Sequence, residues 1–140
     1  MTLDEVKQRY PGAETFCFGD SRFLCDELLA LVRAGTKTAT CGALRDFQVG
    51  GEALPVVGRR DIALDWDGHP AVVVETIEVM TRRYCDVDAD FALAEGENDT
   101  LKDWRVAHAS YFERNGGFDP KMELICEKFR MIEDLGVGDV

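Results

Sequence analysis

Arg60-Asp61-Ile62-Ala63-Leu64-Asp65-Trp66-Asp67-Gly68-His69-Pro70-Ala71-Val72-Val73-Val74-Glu75-Thr76-Ile77-Glu78-Val79-Met80 is the stretch on which the fold turns. Two β-rich runs, Arg60 to Leu64 and Pro70 to Met80, flank Asp65-Trp66-Asp67-Gly68. An Asp-Gly step between such runs is a strong hairpin signal, because glycine accepts the positive φ that a tight turn needs. The pattern predicts a pair of antiparallel strands. Neither a Rossmann nor a P-loop glycine pattern is present to argue for a doubly wound parallel sheet.

Toward the C-terminus, Val87 to Ala94 has helical spacing. A second helix starts with Thr100 as N-cap and Asp103 at its third position, and it sets Leu101, Trp104, His108, Tyr111 and Phe112 along one stripe. Asn115-Gly116-Gly117 stops it, and Glu123 to Ile132 reads as a closing strand. Toward the N-terminus, Thr2-Leu3-Asp4-Glu5 has the spacing of a capping box and opens a helix to about Tyr10, which Pro11-Gly12 ends. Thr15 to Phe18 is a short strand. From Ser21, the residues Phe23, Leu24, Leu28, Leu31 and Val32 recur at helical intervals, and Gly35 closes that helix in a left-handed conformation. Thr36 to Cys41 then becomes extended, and Arg45 to Pro55 reads as a loop. The order of elements predicts an α+β domain with a mainly antiparallel sheet and flanking helices.

With 140 residues, 46% of them hydrophobic and 31% charged, the whole chain is expected to form a single domain, residues 1–140, with one core. Its apolar stretches are too short to span a bilayer, and Met1-Thr2-Leu3-Asp4-Glu5 lacks a signal-peptide pattern, so a soluble, cytoplasmic protein with no membrane partner is expected. Cys17, Cys25, Cys41, Cys85 and Cys126 are odd in number and never paired as C-x-x-C, which predicts reduced, mostly buried thiols. His69 and His108 are the only histidines, and neither has a metal ligand at sequence spacing, so no metal or cofactor is expected. The net charge of −11 argues against sequence-independent wrapping of a nucleic-acid backbone. It leaves room for a small basic cleft lined by Lys37, Arg45, Arg59-Arg60 and Arg82-Arg83, although each arginine pair also reads as solvated charge.

The chemistry concentrates in Gly35-Thr36-Lys37-Thr38-Ala39-Thr40 and in Ala94-Glu95-Gly96-Glu97-Asn98-Asp99. On a regular strand Lys37 and Thr40 point to opposite faces, so they share a site only if the turn persists or the strand kinks. In a shared pocket, a desolvated lysine of lowered pKa could act as a general base on a threonine nucleophile. Otherwise Lys37 is a solvent-facing lysine among β-formers. Glu97 and Asp99 suit a helix N-terminus, or they offer a carboxylate to Lys37.

Five short motifs in order carry a resemblance to a known family. They are Phe18-Gly19-Asp20-Ser21; Asp26-Glu27-Leu28-Leu29-Ala30-Leu31-Val32 running into Gly35-Thr36-Lys37-Thr38-Ala39-Thr40; Leu54-Pro55-Val56-Val57-Gly58; Glu95-Gly96-Glu97-Asn98-Asp99 with Trp104-Arg105, His108 and Tyr111-Phe112; and Cys126-Glu127-Lys128-Phe129. Over roughly residues 16 to 132 the chain resembles the ASCH domain family of the PUA-like superfamily, in its longer bacterial branch. The resemblance implies a PUA-like β-barrel with flanking helices and a cleft for RNA or a nucleoside. Small ASCH members deacylate N4-acetylcytidine with a Lys, a Thr and a Glu, which fall here on Lys37, Thr40 and Glu97. The longer Arg45 to Pro55 loop and the added Trp104, His108 and Tyr111 bear on substrate choice. Arg45, Arg59, Arg82, Trp104 and His108 are the candidates to bind substrate or RNA. The alternatives are an RNA-binding module in translation-related regulation, or a ribonuclease whose divalent metal sits on Glu97 and Asp99.

Overall fold

The computed structural model describes residues 1–48 and 53–136. It contains α1 (Leu3–Arg9), β1 (Thr15–Cys17), α2 (Arg22–Arg33), β2 (Ala39–Ala43), α3 (Leu44–Gln48), β3 (Arg60–Leu64), β4 (Pro70–Arg83), α4 (Ala89–Ala94), α5 (Leu101–Arg114) and β5 (Glu123–Asp134), with a 3-10 turn at Tyr84–Asp86. Helix starts follow their caps. Thr2 and Glu5 form the reciprocal capping box, Ser21 caps α2, and Thr100 accepts from the Asp103 amide.

One five-stranded sheet runs in the order β1-β3-β4-β5-β2. The hairpin is present: β3 and β4 pair antiparallel around Asp65–Gly68, where Gly68 has φ +89°. β4 continues to Arg83 and pairs along β5, with register shifts near Val74 and between Thr76 and Glu78 that bend the ribbon. β1 joins β3 in parallel, which leaves one non-antiparallel pair. The expected barrel is not closed, because β1 and β2 are the two ends of the sheet. α2 packs against β4 and β5. Its Cys25, Leu28, Leu29 and Val32 pack with Phe18, Ala63, Val72, Val74 and Phe129.

The stripe of α2 is rotated from the one expected. Phe23 is 80% exposed, and Cys25 takes a buried place instead. The loop expected from Arg45 begins as α3, and its residues 49–52 lie outside the described residues. On the other face of the sheet, α4 and α5 cover β2 and β5 through Phe91, Trp104, Phe112, Leu124 and Cys126, and α1 covers Ile62 and Val73 with Val6. Of the five free cysteines only Cys25 and Cys126 are buried, so the expectation of mostly buried thiols fails at exposed Cys17 and Cys85 and at half-buried Cys41. Among the described residues, no helix is long and apolar enough to cross a membrane.

Candidate active site

The end of α2 delivers the first site residue. Gly35 has φ +78°, its amide donates to Val32 O, and the Thr36 amide donates to Leu31 O, which together form a Schellman cap. The chain is then clamped on both sides at Thr38, whose amide donates to Ala94 O at 2.8 Å and whose carbonyl accepts from the Phe129 amide at 3.0 Å. Held this way, Lys37 turns inward and is only 2% exposed. Its Nζ donates to Ala39 O at 2.8 Å, Glu97 Oε2 at 2.8 Å, Glu95 Oε1 at 3.2 Å and Glu95 O at 3.3 Å. The ring of Phe18 lies 5.8 Å away.

Glu95 is the hub of a buried network. It is 1% exposed, and besides Lys37 it accepts at Oε2 from Trp104 Nε1 at 2.7 Å and faces His108 Nε2 at 3.4 Å. His108 stacks on Trp104 with centroids 4.2 Å apart, and its Nδ1 lies 2.9 Å from Trp104 O. Both ring nitrogens thus face acceptors, the arrangement of a doubly protonated imidazole. Burial by itself would raise the Glu95 pKa, but the Lys37 charge and the His108 and Trp104 donors outweigh it and hold the carboxyl well below its ordinary value. Burial would likewise lower His108, yet the Glu95 carboxylate lifts it above 6.5.

The same balance corrects the lysine chemistry expected from sequence. Burial pulls the Lys37 pKa down, but Glu95 and Glu97 together raise it, so Lys37 rests as an ammonium instead of a free base. Two carboxylates brought from some sixty residues away supply the difference.

Gly96 makes this approach possible. Its φ is +73°, and a Cβ built there would lie 2.5 Å from Thr36 O and 2.9 Å from the Lys37 amide nitrogen. Only a glycine lets the loop carrying Glu95 and Glu97 pass so close to the lysine segment.

The network opens on a cleft of about 780 Å³, within the range of small-molecule sites. Lys37, Thr40, Glu97, His108 and Arg59 all line it. Thr40 sits on β2 opposite Glu127, so Thr40 and Glu127 share one face of the sheet, while Cys41 and Cys126 share the other. The inward turn at Lys37, ahead of the strand, is what lets Lys37 and Thr40 reach one cleft.

The remaining candidates are engaged elsewhere. Trp104 is completely buried and serves Glu95. Arg45 donates to Gly117 O at 2.7 Å behind α5, and Arg82 pairs with Asp88 at 2.9 Å; none of the three lines the cleft. Arg59 does line it, but its guanidinium is held by Asp61 at 2.8 Å and by Leu54 O at 2.9 Å.

Glu95, Asp61 and Glu127 are site residues that motif reading passed over. Glu95 had a signal, since it falls four residues after buried Phe91 on the same helical stripe. Among the described residues the three-ligand groups are Cys41, Glu95, His108 and Asp65, Asp67, His69. In the first, the glutamate already serves Lys37 and Trp104. Neither group includes Glu97 or Asp99.

The family model of the ASCH domain matches residues 14–133. An ASCH domain from Lactobacillus crispatus aligns at TM-score 0.79 and 30% identity, over 91% of this chain and 84% of its own. Protein EF3133 from Enterococcus faecalis aligns at TM-score 0.80 and 33% identity, over 93% of this chain and 82% of its own. A variant ASCH protein from Zymomonas mobilis, at TM-score 0.52 and 11% identity over 89% of this chain and 74% of its own, shares the fold alone. No curated protein matches the chain.

Proposed function

The chain belongs to the ASCH domain family, and on that premise we propose that it is an amidohydrolase that deacylates an N4-acylated cytosine nucleoside or a related nucleobase amide. The observation that carries this reading is the Lys37 ammonium, buried against Glu97 at 2.8 Å, in a cleft whose wall presents Thr40. A lysine in that state is no base until it passes a proton along its hydrogen bond to Glu97. Neutral Lys37 then takes the Thr40 proton as Oγ1 attacks the acyl carbon, and protonated Glu97 gives its proton to the departing N4 amine as the C–N bond breaks. The proton lost by threonine is balanced by the one gained by the amine. Water then hydrolyses the acyl ester on Thr40, with the same pair carrying its proton.

Glu95 stays ionised beneath the pair and positions Lys37, while Trp104 and His108 hold Glu95 in turn. The reaction as written draws on side chains alone. The cleft volume suits a nucleoside, and the basic residues that were expected to grip a longer RNA are for the most part bound to the protein itself.

Incubation of the purified protein with N4-acetylcytidine, followed by chromatography, tests the proposal. Cytidine and acetate are expected from the unaltered protein, and a loss of at least a hundredfold in Thr40→Val. Cleavage of N4-acetylcytidine only within an oligonucleotide would move the substrate to RNA, and no release from either would remove the reading.

A further inference from the structure

The wall of the cleft facing the Lys37 network holds an acidic group that the mechanism leaves unused. Glu127 stands opposite Thr40 in the β2–β5 ladder, so their side chains rise from the same face with Cβ atoms roughly 5 Å apart. Thr76 Oγ1 donates to Glu127 Oε1 at 2.5 Å, and the side chain reaches the cleft. The groups around it come from three strands and the residue that leads into one of them. Thr40 lies on β2, Thr76 on β4, Asp61 on β3 and Arg59 just before β3. Arg59 is committed to Asp61, and Lys128, the neighbour along β5, pairs with Glu78 at 3.4 Å. Among the described residues, no cation lies within ion-pair distance of Glu127.

A half-buried carboxyl group with no cation paired to it is suited to the neutral form, which presents one donor and one acceptor side by side. Burial pushes Glu127 up from its ordinary value, against the Thr76 hydrogen bond, and Asp61 adds to the rise while the more distant Arg59 charge opposes it. Such a pair matches a planar heterocycle edge that offers an acceptor next to a donor. In an N4-acylated cytosine those are N3 and N4–H. Because Glu127 and Thr40 are cross-strand neighbours, a base held through N4 by one presents its acyl carbon to the other.

We propose that Glu127 is a substrate-binding residue that reads the N3/N4 edge of the base and so sets the acyl group against Thr40. The inference rests on the amidohydrolase reading and adds the residue that selects the base.

Calorimetric titration with N4-acetylcytidine tests it, using Thr40→Val to prevent turnover, alone and combined with Glu127→Gln or Glu127→Leu. Glutamine keeps a donor beside an acceptor, so Kd is expected within about threefold of the parent, whereas leucine weakens binding about tenfold or more. The parent should also bind more weakly as the pH rises through the Glu127 pKa, and the glutamine variant should show no such dependence. Thermal unfolding checks that both variants fold, and should the leucine variant not fold, the pH profiles of parent and glutamine proteins decide. Equal Kd in all three proteins at every pH, or a glutamine variant as weak as the leucine one, overturns the role of Glu127 and leaves the amidohydrolase intact. Absence of binding by all of them, with no hydrolysis by the unaltered protein, overturns both.

Discussion

The cleft places acidic side chains in two regions that treat them in opposite ways. Around Glu95, almost fully buried, a lysine ammonium, an indole N–H and an imidazole converge, and the carboxyl stays ionised. Around Glu127 there is a threonine hydroxyl and a neighbouring aspartate already matched to Arg59, and the carboxyl is pushed toward its neutral form. Burial acts in the same direction on both. What separates them is whether a cation is paired directly with the carboxyl, so compensation, more than depth, decides what each can do: one anchors a positive charge, and the other can donate a proton in a hydrogen bond.

The largest test of this contrast removes the cation. Lys37→Met leaves Glu95 buried without its partner and is expected to cost about 3–5 kcal/mol of stability in denaturant unfolding. Adding Glu95→Gln to that variant should recover part of the loss, because the uncompensated charge goes with it. A Lys37→Met protein as stable as the parent would show that the lysine is not the compensating charge.

Next in size is Gly96→Ala, which puts a methyl 2.5 Å from Thr36 O at a positive φ. A loss of about 1–3 kcal/mol is expected. Hydrolysis should fall with it, since the loop that carries Glu97 has to move away from Lys37.

pH separates the regions without mutation. His108 is raised above 6.5, so its contribution is complete below that value and lost as the pH rises through its folded pKa. Glu95 is lowered from 4.5, so its contribution is complete above 4.5 and lost as the pH falls toward about 2. Together they predict a plateau of stability between pH 4.5 and 6.5. Glu127 is an acid raised from 4.5, so its penalty on the folded state sets in as the pH rises above 4.5, tilts that plateau slightly downward and is complete above its folded pKa. Glu127→Gln should therefore stabilise the protein modestly at neutral pH, where Glu95→Gln destabilises it. Smallest of all, Arg22→Ala removes an ion pair with Asp67 in which both side chains are more than half exposed, and the unfolding midpoint should not shift measurably.

How much of this could be read from sequence follows the range of the interactions. The Asp65–Gly68 turn, the caps at Thr2, Ser21 and Thr100, and the left-handed Gly35 were readable because each is settled within a few residues. The parallel pairing of β1 with β3 and the open sheet were not, since pairings such as Thr15 with Ile62 join residues far apart in the chain. At the site, Lys37, Thr40 and Glu97 came from family motifs. Their meeting in one cleft could not come from spacing, because Lys37 precedes the strand and turns inward on clamps from Ala94 and Phe129. The state of Lys37 was misread for the same reason: a local view supplies the burial and omits the two distant carboxylates. Glu127 is legible only through the period of β5, where alternation with Ile125 and Phe129 points it at the same face as Thr40.

The most direct measurement is mass spectrometry of the Thr40 peptide, taken from protein quenched during turnover of N4-acetylcytidine. An acyl group on the Thr40 hydroxyl, absent in Glu97→Gln protein that cannot protonate the leaving amine, is the predicted result. Steady release of cytidine with Thr40 unmodified, and undiminished in Thr40→Val, would contradict it.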